Sequence, residues 1–310
     1  MRELLYTFTS STGEDEIRVH GWLPGKMKGV IQYHHGVTSH TDQNEEFARW
    51  FTDQGYGVVG LDCLGHGELA FRAGRLGWFA RENGWEHVVN DFRSLYDQIE
   101  ERFAGVPHFV YGNSMGSFVA RTMMIRFPEI RPVGVILAAS SMNPEEILRG
   151  SYDLVETLIS QGKDPFKGTG KIQHFAFGTY CERIEDPQTP FDWVCRDNER
   201  IRSKPVDEYS MFLLSPSLFK DMTDGQAFNS DPKNIAKMRP DVPYYIVSGG
   251  DDPAGRYGEG PTKLRDAFEK AGIEDVELHL WPGARHELFM DLDGELIMED
   301  ILRWLNGKLQ

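Results

Sequence analysis

The sequence predicts an α/β fold in which a mostly parallel sheet of eight strands is flanked by helices. Short apolar runs alternate with amphipathic stretches through residues 1–141 and again through residues 239–310. Such repeated strand–helix units imply parallel strands joined by right-handed crossovers, so that helices cover both faces of the sheet. Between residues 142 and 238 the alternation stops, which marks an insertion.

The strands are predicted from apolar runs that end in polar or glycine-rich turns. Runs at residues 3–9 and 16–23, separated by a turn-rich segment, predict an antiparallel pair at the start of the chain. Six further strands are predicted at residues 28–34, 56–62, 106–111, 132–139, 242–248 and 276–281. Helical periodicity predicts helices at residues 44–54, 86–103, 117–126, 261–271 and 295–305. Gly272 is expected to cap the fourth of these helices.

The inserted segment, residues 142–238, has a mainly helical but irregular pattern. Seven prolines interrupt it, and aromatic residues are frequent. We predict that residues 1–141 and 239–310 form one α/β domain. Residues 142–238 are predicted to form a helical cap, or lid, and not a separate domain with its own sheet.

The composition limits the partners and the compartment. The formal charge of −15 argues against nucleic acid and anionic lipid, since an acidic surface repels phosphate groups. No run of roughly 18 apolar residues predicts a membrane-spanning helix, and the N-terminus lacks the pattern of a signal peptide. Cys63, Cys181 and Cys195 are too few for a disulfide framework or a metal site. Buried thiols are favoured over a Cys181–Cys195 disulfide, and a reducing cytoplasm is the expected compartment.

The chemistry of the sequence centres on the pentapeptide Gly-Asn-Ser-Met-Gly at residues 112–116. It lies between a predicted strand and a predicted helix, which is the context of a nucleophile elbow. The turn of such an elbow is so tight that the residues two before and two after the serine must be small. Gly112 and Gly116 occupy those positions. The alternative, an ordinary glycine-containing loop, does not account for the strand and helix around the motif, so Ser114 is predicted to be a nucleophile.

A serine hydroxyl needs a general base, and the base needs an anion that orients it and supports its positive charge. His286 follows the last predicted strand, and Asp251 and Asp252 follow the strand before it. These positions lie at the carboxyl ends of strands, where open α/β sheets bind their ligands. The order Ser, Asp, His is the order described for α/β hydrolases. The residues alone leave open which aspartate contacts His286.

Four further motifs accompany the elbow: His-His-Gly at 34–36, Asp-x-x-Gly-His-Gly at 62–67, Asp-Asp-Pro-Ala-Gly at 251–255 and Pro-Gly-Ala-Arg-His at 282–286. Together they resemble the monoacylglycerol lipase and lysophospholipase branch of the α/β hydrolases, of the serine aminopeptidase S33 type. The resemblance implies the α/β-hydrolase fold and extends into the insertion at residues 193–197. It assigns the triad acid to Asp252, the aspartate directly before a proline. Asn113 departs from the family, because many members have histidine before the serine.

The oxyanion of a tetrahedral intermediate must be met by preorganised donors. The predicted donors are two backbone N–H groups. One belongs to Met115, at the start of the elbow helix, where the helix dipole favours negative charge. The other belongs to Val37, after the third strand, and the resemblance supports the same pair.

Three histidines near these motifs are predicted to be structural. His34 and His35 are expected to hold the oxyanion loop in shape, and His66 to fix the loop after the fourth strand. The sequence has no His-Glu-x-x-His pair, and its glycine-rich segment at residues 255–260 lacks the dinucleotide fingerprint. No metal and no cofactor are therefore predicted.

The predicted function is hydrolysis of carboxylic esters that carry an acyl chain, and the resemblance points to monoacylglycerol or lysophospholipid. The aromatic residues of the cap and the apolar run at residues 211–214 either line an acyl-chain channel or form the core of the cap itself. One alternative is that the same triad cleaves small esters, amides or a carbon–carbon bond. Another is a ligand receptor without turnover, against which the complete triad argues. The sequence leaves transient contact with lipid surfaces and the oligomeric state open.

Overall fold

An eight-stranded sheet forms the centre of the protein in a computed structural model that describes residues 1–197, 199–200 and 207–310. The strands are β1 (Arg2–Thr9), β2 (Glu16–Leu23), β3 (Gly29–His34), β4 (Tyr56–Leu61), β5 (His108–Asn113), β6 (Gly134–Ala138), β7 (Tyr244–Gly249) and β8 (Val276–Trp281). Their order across the sheet is β1-β2-β4-β3-β5-β6-β7-β8. The β1–β2 and β2–β4 pairs are antiparallel, and the five remaining pairs are parallel. The predicted eight-stranded, mostly parallel sheet is confirmed.

Helices cover both faces of this sheet. The described residues form α1 (Glu45–Asp53), α2 (Gly67–Arg72), α3 (Gly84–Arg102), α4 (Met115–Arg126), α5 (Glu145–Ser160), α6 (Gly170–Phe177), α7 (Pro216–Ser230), α8 (Pro232–Ile235), α9 (Glu259–Lys270) and α10 (Gly294–Gly307). Side chains of α3, α4 and α9 share one hydrophobic core, and those of α1 and α10 share the other. Successive strand residues point to opposite faces, so Tyr244 and Ile246 enter the first core while Tyr245 and Val247 enter the second. Burial on both faces explains why the parallel strands are continuously apolar.

Some element boundaries differ from the sequence prediction. β5 continues to Asn113, because its last residues keep pairing with β6 although they are glycine and asparagine. The helix of the elbow begins at Met115 and not at residue 117. Helix α2 was not predicted, since Gly67 is its only buried residue and it has no apolar side to give a periodic signal. Gly272 follows α9 with a φ of 89°, as expected for a C-terminal cap.

The described part of residues 142–238 consists of helices joined by turns and contains no strand. Its helix α7 packs against α5 within the insertion and against α3 and α4 of the sheet region. The buried guanidinium of Arg121 on α4 strengthens this contact, because it donates to the backbone oxygens of Ser141 and, on α7, Asn229. The helical character agrees with the prediction, while the division of the chain into an α/β domain and a cap stays a prediction.

The cysteines are free thiols. Cys63 and Cys195 are buried as predicted, but Cys181 is only half-buried, because it lies in a turn-rich surface segment. Within the described ranges, no three His, Cys, Asp or Glu side chains come together as a metal-binding group. None of the helices found there is long and apolar enough to cross a membrane.

Candidate active site

Ser114 lies in the tight turn between β5 and α4. Its φ of 52° and ψ of −116° form a strained conformation for a residue with a side chain. The N–H of Ser114 donates to the backbone oxygen of Ala138 at 2.9 Å, which ties the turn to β6. A Cβ on Gly112 would lie 2.3 Å from the oxygen of Gly116, and a Cβ on Gly116 would lie 2.2 Å from that of His34. The expectation that both positions must be small is confirmed.

The fold brings Ser114, His286 and Asp252 together at the carboxyl ends of three strands. The distance from Ser114 Oγ to His286 Nε2 is 2.9 Å, and that from His286 Nδ1 to Asp252 Oδ2 is also 2.9 Å. Asp252 is fully buried, and its Oδ1 accepts from the N–H of Ala254 at 2.9 Å. Asp251, in contrast, is exposed. A neutral His286 with its proton on Nδ1 can donate to Asp252 while Nε2 accepts from Ser114, as general-base catalysis requires.

The charges around His286 favour its protonated form. Burial by itself lowers the pKa of His286, but the carboxylates of Asp252 and Glu287 outweigh that effect. The pKa of His286 therefore lies above the ordinary value of a histidine. An imidazolium formed when His286 takes a proton is stabilised by two anions.

The predicted oxyanion donors belong to the two loops that meet at Ser114. Met115 is the first residue of α4, so its N–H is one of the groups that a helix leaves free at its N-terminus. Val37 follows Gly36, which packs against the elbow: a Cβ on Gly36 would lie 3.4 Å from Ser114 Cβ. Oxyanion binding by these two N–H groups stays a prediction.

Three buried histidines hold the loops around Ser114. His35 Nε2 accepts from the N–H of Cys63 at 3.1 Å, so the proton is on Nδ1, which donates to the oxygen of Gly36 at 2.8 Å. Nδ1 of His34 and of His66 likewise lies 2.9 Å from a nearby backbone oxygen. Burial lowers the pKa of His34 to about 3, that of His35 to about 4, and that of His66 well below its ordinary value. The rings are neutral at pH 7 and bind backbone groups, which agrees with the predicted structural role.

Aromatic side chains of the insertion lie directly against the candidate base. The rings of Trp193 and His286 are 5.0 Å apart between centroids. Trp193 in turn packs on Phe177 at 5.7 Å and on Tyr180 at 4.8 Å. Because Trp193 is itself buried, this cluster keeps water from one side of the imidazole.

The apolar run at residues 211–214 is divided between two environments. Leu214 is buried, and Phe212 packs edge-on against His66 with the ring centroids 5.0 Å apart. Met211 and Leu213 are 42% and 47% exposed. Half of the run therefore belongs to the core, and the other half faces outward.

Polar contacts also join the insertion to the loop that carries His286. Arg285 Nη1 donates to the backbone oxygens of Asp192 at 2.5 Å and Cys195 at 3.1 Å. Arg196 Nε donates to the carboxylate of Asp291 at 2.5 Å, and that carboxylate is completely buried. These bonds hold residues 192–196, and with them Trp193, against the histidine loop.

The direct neighbours of Ser114 and His286 in the sequence, Asn113 and Glu287, make a contact that was not predicted. Asn113 Nδ2 lies 3.2 Å from each carboxylate oxygen of Glu287. Asn113 is buried and Glu287 is half-buried. The available signal was the position of an acid directly after the predicted base, but the two partners are 174 residues apart and only the fold brings them together.

Known proteins resemble this chain over nearly its whole length. A curated monoacylglycerol lipase from Mycolicibacterium smegmatis is 24% identical over 292 residues, covering 93% of this chain and 92% of that relative. The solved carboxyl esterase from Bacillus coagulans has a TM-score of 0.90 at 25% identity and full coverage of both chains. A monoglyceride lipase from Saccharomyces cerevisiae has a TM-score of 0.75 at 19% identity, over 98% and 94% of the two chains. Because these similarities cover nearly the whole chain, they include residues 142–238 as well as the sheet region.

The parallel sheet and the strand–elbow–helix unit define an α/β hydrolase. The chain belongs to the serine aminopeptidase S33 family, whose model matches residues 25–293. With that membership and a curated lipase among its relatives, it is a carboxylic ester hydrolase. The predicted family, fold and enzyme class are confirmed.

Proposed function

We propose that this enzyme hydrolyses carboxylic esters with an acyl chain, monoacylglycerol or lysophospholipid, through Ser114, His286 and Asp252. The observation that carries the proposal is the hydrogen-bonded path from Ser114 Oγ through His286 to the buried Asp252, with 2.9 Å at each step. Two relatives support the class of substrate, since one is a monoacylglycerol lipase and another a monoglyceride lipase.

In the acylation step, His286 Nε2 takes the hydroxyl proton of Ser114 while Oγ attacks the ester carbonyl. Asp252 holds His286 in the required tautomer and stabilises the imidazolium. The N–H groups of Val37 and Met115 bind the oxyanion that develops on the carbonyl oxygen. His286 then gives its proton to the leaving alcohol, and an acyl-enzyme remains on Ser114.

Deacylation repeats these proton transfers with water as the nucleophile. His286 takes a proton from water, the hydroxide attacks the acyl-enzyme, and the fatty acid leaves as Ser114 regains its proton. Trp193 packs against the ring of His286 and narrows the approach of water to that side. We assign this shielding to residues 142–238 as a cap over the α/β domain.

The proposal is tested by hydrolysis of p-nitrophenyl esters from acetate to palmitate, with the wild type and Ser114→Ala side by side. Rates should peak at medium or long chains, and Ser114→Ala should lower kcat by about 10⁴-fold or more with an unchanged melting temperature. The matched control is Ser94→Ala, a serine on α3 whose hydroxyl donates to the backbone oxygen of Asn90. It should retain wild-type rates.

The head group is tested next with monoacylglycerol and lysophosphatidylcholine of equal chain length. A folded wild type that hydrolyses no ester and takes no label from a fluorophosphonate probe would overturn the proposed mechanism.

The second candidate function is hydrolysis of small esters. The likeness to the Bacillus coagulans carboxyl esterase, with a TM-score of 0.90, favours it specifically. Activity confined to acetate and butyrate, and lost in Ser114→Ala, would keep the triad and assign the substrate to this second class.

A further inference from the structure

Asn113 and Glu287 flank the nucleophile and the base in the sequence, and they also contact each other. We propose that Asn113 and Glu287 form a positioning pair that fixes the nucleophile elbow against the loop of His286 and holds a negative charge beside the imidazole. The inference rests on the proposed roles of Ser114 and His286. It is carried by the two 3.2 Å distances from Asn113 Nδ2 to the carboxylate oxygens of Glu287.

Both members of this pair are fixed by their surroundings. Asn113 is the last residue of β5 and pairs with Ala138 of β6, so its backbone belongs to the sheet. The backbone N–H of Glu287 donates to the oxygen of Val194 at 2.7 Å, which ties it to the inserted segment. Glu287 is therefore the point at which the elbow, the histidine loop and the insertion meet.

The chemistry of an amide suits this role. An arginine or lysine at position 113 would neutralise the carboxylate, whereas the amide of Asn113 orients the carboxylate by hydrogen bonds and leaves its charge intact. The charge of Glu287 raises the pKa of the neighbouring imidazole. Glu287 is half-buried, so this Coulomb interaction is stronger than it would be in bulk water.

Among the described residues, the carboxylates of Asp252 and Glu287 are the charges that raise the pKa of His286. The guanidinium of the preceding Arg285 donates to the backbone oxygens of Asp192 and Cys195. Asp252 belongs to the loop after β7, and Glu287 lies on the same loop as His286. The nearby phenols are neutral because burial, together with the adjacent carboxylates, raises their pKa; they are Tyr33 on β3, Tyr111 on β5 and Tyr180 in the insertion.

The direction of the expected pH effect follows from the charge. A neighbouring carboxylate favours the protonated imidazole and raises the pKa of His286. The base is active only when neutral, so kcat/KM falls as the pH drops through this pKa. Removal of the charge at Glu287 lowers the pKa, and the acid limb of the profile then moves to lower pH.

The test compares Glu287→Gln with Glu277→Gln, using the p-nitrophenyl ester on which the wild type is most active. Both substitutions remove one negative charge from the chain, but Glu277 lies on the edge strand β8 and pairs with Lys308. Glu287→Gln should shift the acid limb of kcat/KM to lower pH and reduce kcat by about tenfold with little change in KM. Glu277→Gln should retain the wild-type profile and kcat.

A second variant separates orientation from charge. Asn113→Ala removes both hydrogen bonds but keeps the carboxylate of Glu287. It should lower kcat by about tenfold, because small misplacements of catalytic groups slow the reaction strongly. The acid limb of its kcat/KM profile should stay closer to that of the wild type than the acid limb of Glu287→Gln does. Active-site titration with a fluorophosphonate gives kcat per labelled serine, so partial unfolding does not imitate the effect.

A wild-type acid limb and kcat in Glu287→Gln would overturn the inference. The inference would also be overturned if Glu287→Gln and Asn113→Ala lowered the melting temperature but left the pH profile and kcat per labelled serine unchanged. In that case the pair would only stabilise the fold. Failure of the proposed function looks different, because the wild type itself would neither hydrolyse esters nor react with the probe.

Discussion

Asp251 and Asp252 are adjacent in the sequence, but their carboxylates lie in different environments. Asp252 is fully buried and contacts His286 at 2.9 Å, whereas Asp251 is exposed. Burial strengthens the interaction with the imidazole and excludes competing water. Solvent screens the charge of Asp251 in the adjacent position.

The two aspartates should therefore respond differently to removal of their charge. Asp252→Asn should lower kcat by about 10³–10⁴-fold, because an amide that donates to Nδ1 stabilises the wrong tautomer of His286. Asp251→Asn should keep kcat within about twofold of the wild type. Steady-state kinetics with a p-nitrophenyl ester measures both, and equal losses would contradict the assignment of the acid.

The residues of the candidate site were predictable to different degrees. Ser114 and His286 follow from local signals, since a glycine-flanked turn and the end of a strand are visible in the sequence. The choice of Asp252 needed the family resemblance, because two adjacent aspartates look alike until burial separates them. The contact of Asn113 with Glu287 was hidden, since it depends on how two loops approach each other in space.

At the scale of elements, the elbow depends on close approach between backbone segments. A Cβ at position 116 would lie 2.2 Å from the backbone oxygen of His34, and neither atom can move without displacing β3 or α4. Gly116→Ala should therefore reduce the free energy of unfolding by about 1–3 kcal/mol or more and abolish activity. Differential scanning fluorimetry and an ester assay test both expectations.

The matched control for this substitution is Gly170→Ala, at the start of α6. A Cβ at that position meets no atom within 4 Å. Alanine is also a better helix former than glycine, so stability should be unchanged or slightly higher. Equal destabilisation by the two substitutions would contradict the packing argument.

The inserted segment is attached to the histidine loop by an ion pair between Arg196 and Asp291. Arg196 contacts Asp291, whose side chain is completely buried, and Asp293 at 2.6 Å. Arg196→Ala should lower the free energy of unfolding by about 1–3 kcal/mol, because the buried carboxylate loses its cation. It should also reduce kcat, since the loop that carries His286 is less firmly held.

The control is Arg149→Ala, which removes an exposed pair between Arg149 and Glu145 on α5. Such helix-surface pairs contribute only about 0.3–0.5 kcal/mol, so chemical denaturation should barely distinguish this variant from the wild type. Wild-type kcat in Arg196→Ala would show that the contact stabilises the fold without positioning the base.

The strands and the longer helices of residues 1–141 and 239–310 were predictable, because buried parallel strands are continuously apolar and amphipathic helices repeat every 3.6 residues. Within the insertion only the helical character was predicted, and the bounds of α5 and α7 required the structure. Helix α2 was missed because a helix without a buried face gives no such signal. The contacts of Arg196 and Arg285 were also missed, because they join segments about 90 residues apart. The local sequence pattern therefore predicts individual helices and strands well, but it does not predict which distant segments contact each other.

For the whole molecule, the parallel sheet accounts for the convergence of the site. Ser114 follows β5, Asp252 follows β7 and His286 follows β8, and all these strands point the same way. Their carboxyl ends therefore share one edge of the sheet. This rule made the meeting of three distant residues predictable, whereas the packing of Trp193 on the ring of His286 required the structure.

Stability of the whole molecule should fall in mild acid, because three buried histidines are neutral. Burial lowers the folded-state pKa of His34 to about 3 and that of His35 to about 4, and it lowers that of His66 well below 6.5. In the unfolded chain each takes up a proton near pH 6.5. Below that pH the unfolded state binds more protons than the folded state, so the free energy of unfolding decreases as the pH falls.

The size of this effect is about 1–2 kcal/mol for each of these histidines between pH 7 and pH 5. His286 acts in the opposite direction, because its folded-state pKa is raised and its contribution is fully present below the unfolded-state value. Asp221 also acts in the opposite direction, because burial raises its folded-state pKa to about 7, whereas His108, whose pKa burial lowers, adds to the loss. Four buried histidines outweigh His286 and Asp221, so the urea midpoint should be lower at pH 5 than at pH 7. His34→Gln should reduce the difference between the urea midpoints at pH 7 and pH 5, because one buried proton acceptor is gone. The same substitution should lower stability at both pH values. A urea midpoint that stays constant from pH 7 to pH 5 would contradict the neutral, buried state of these rings, which hold the loops around Ser114.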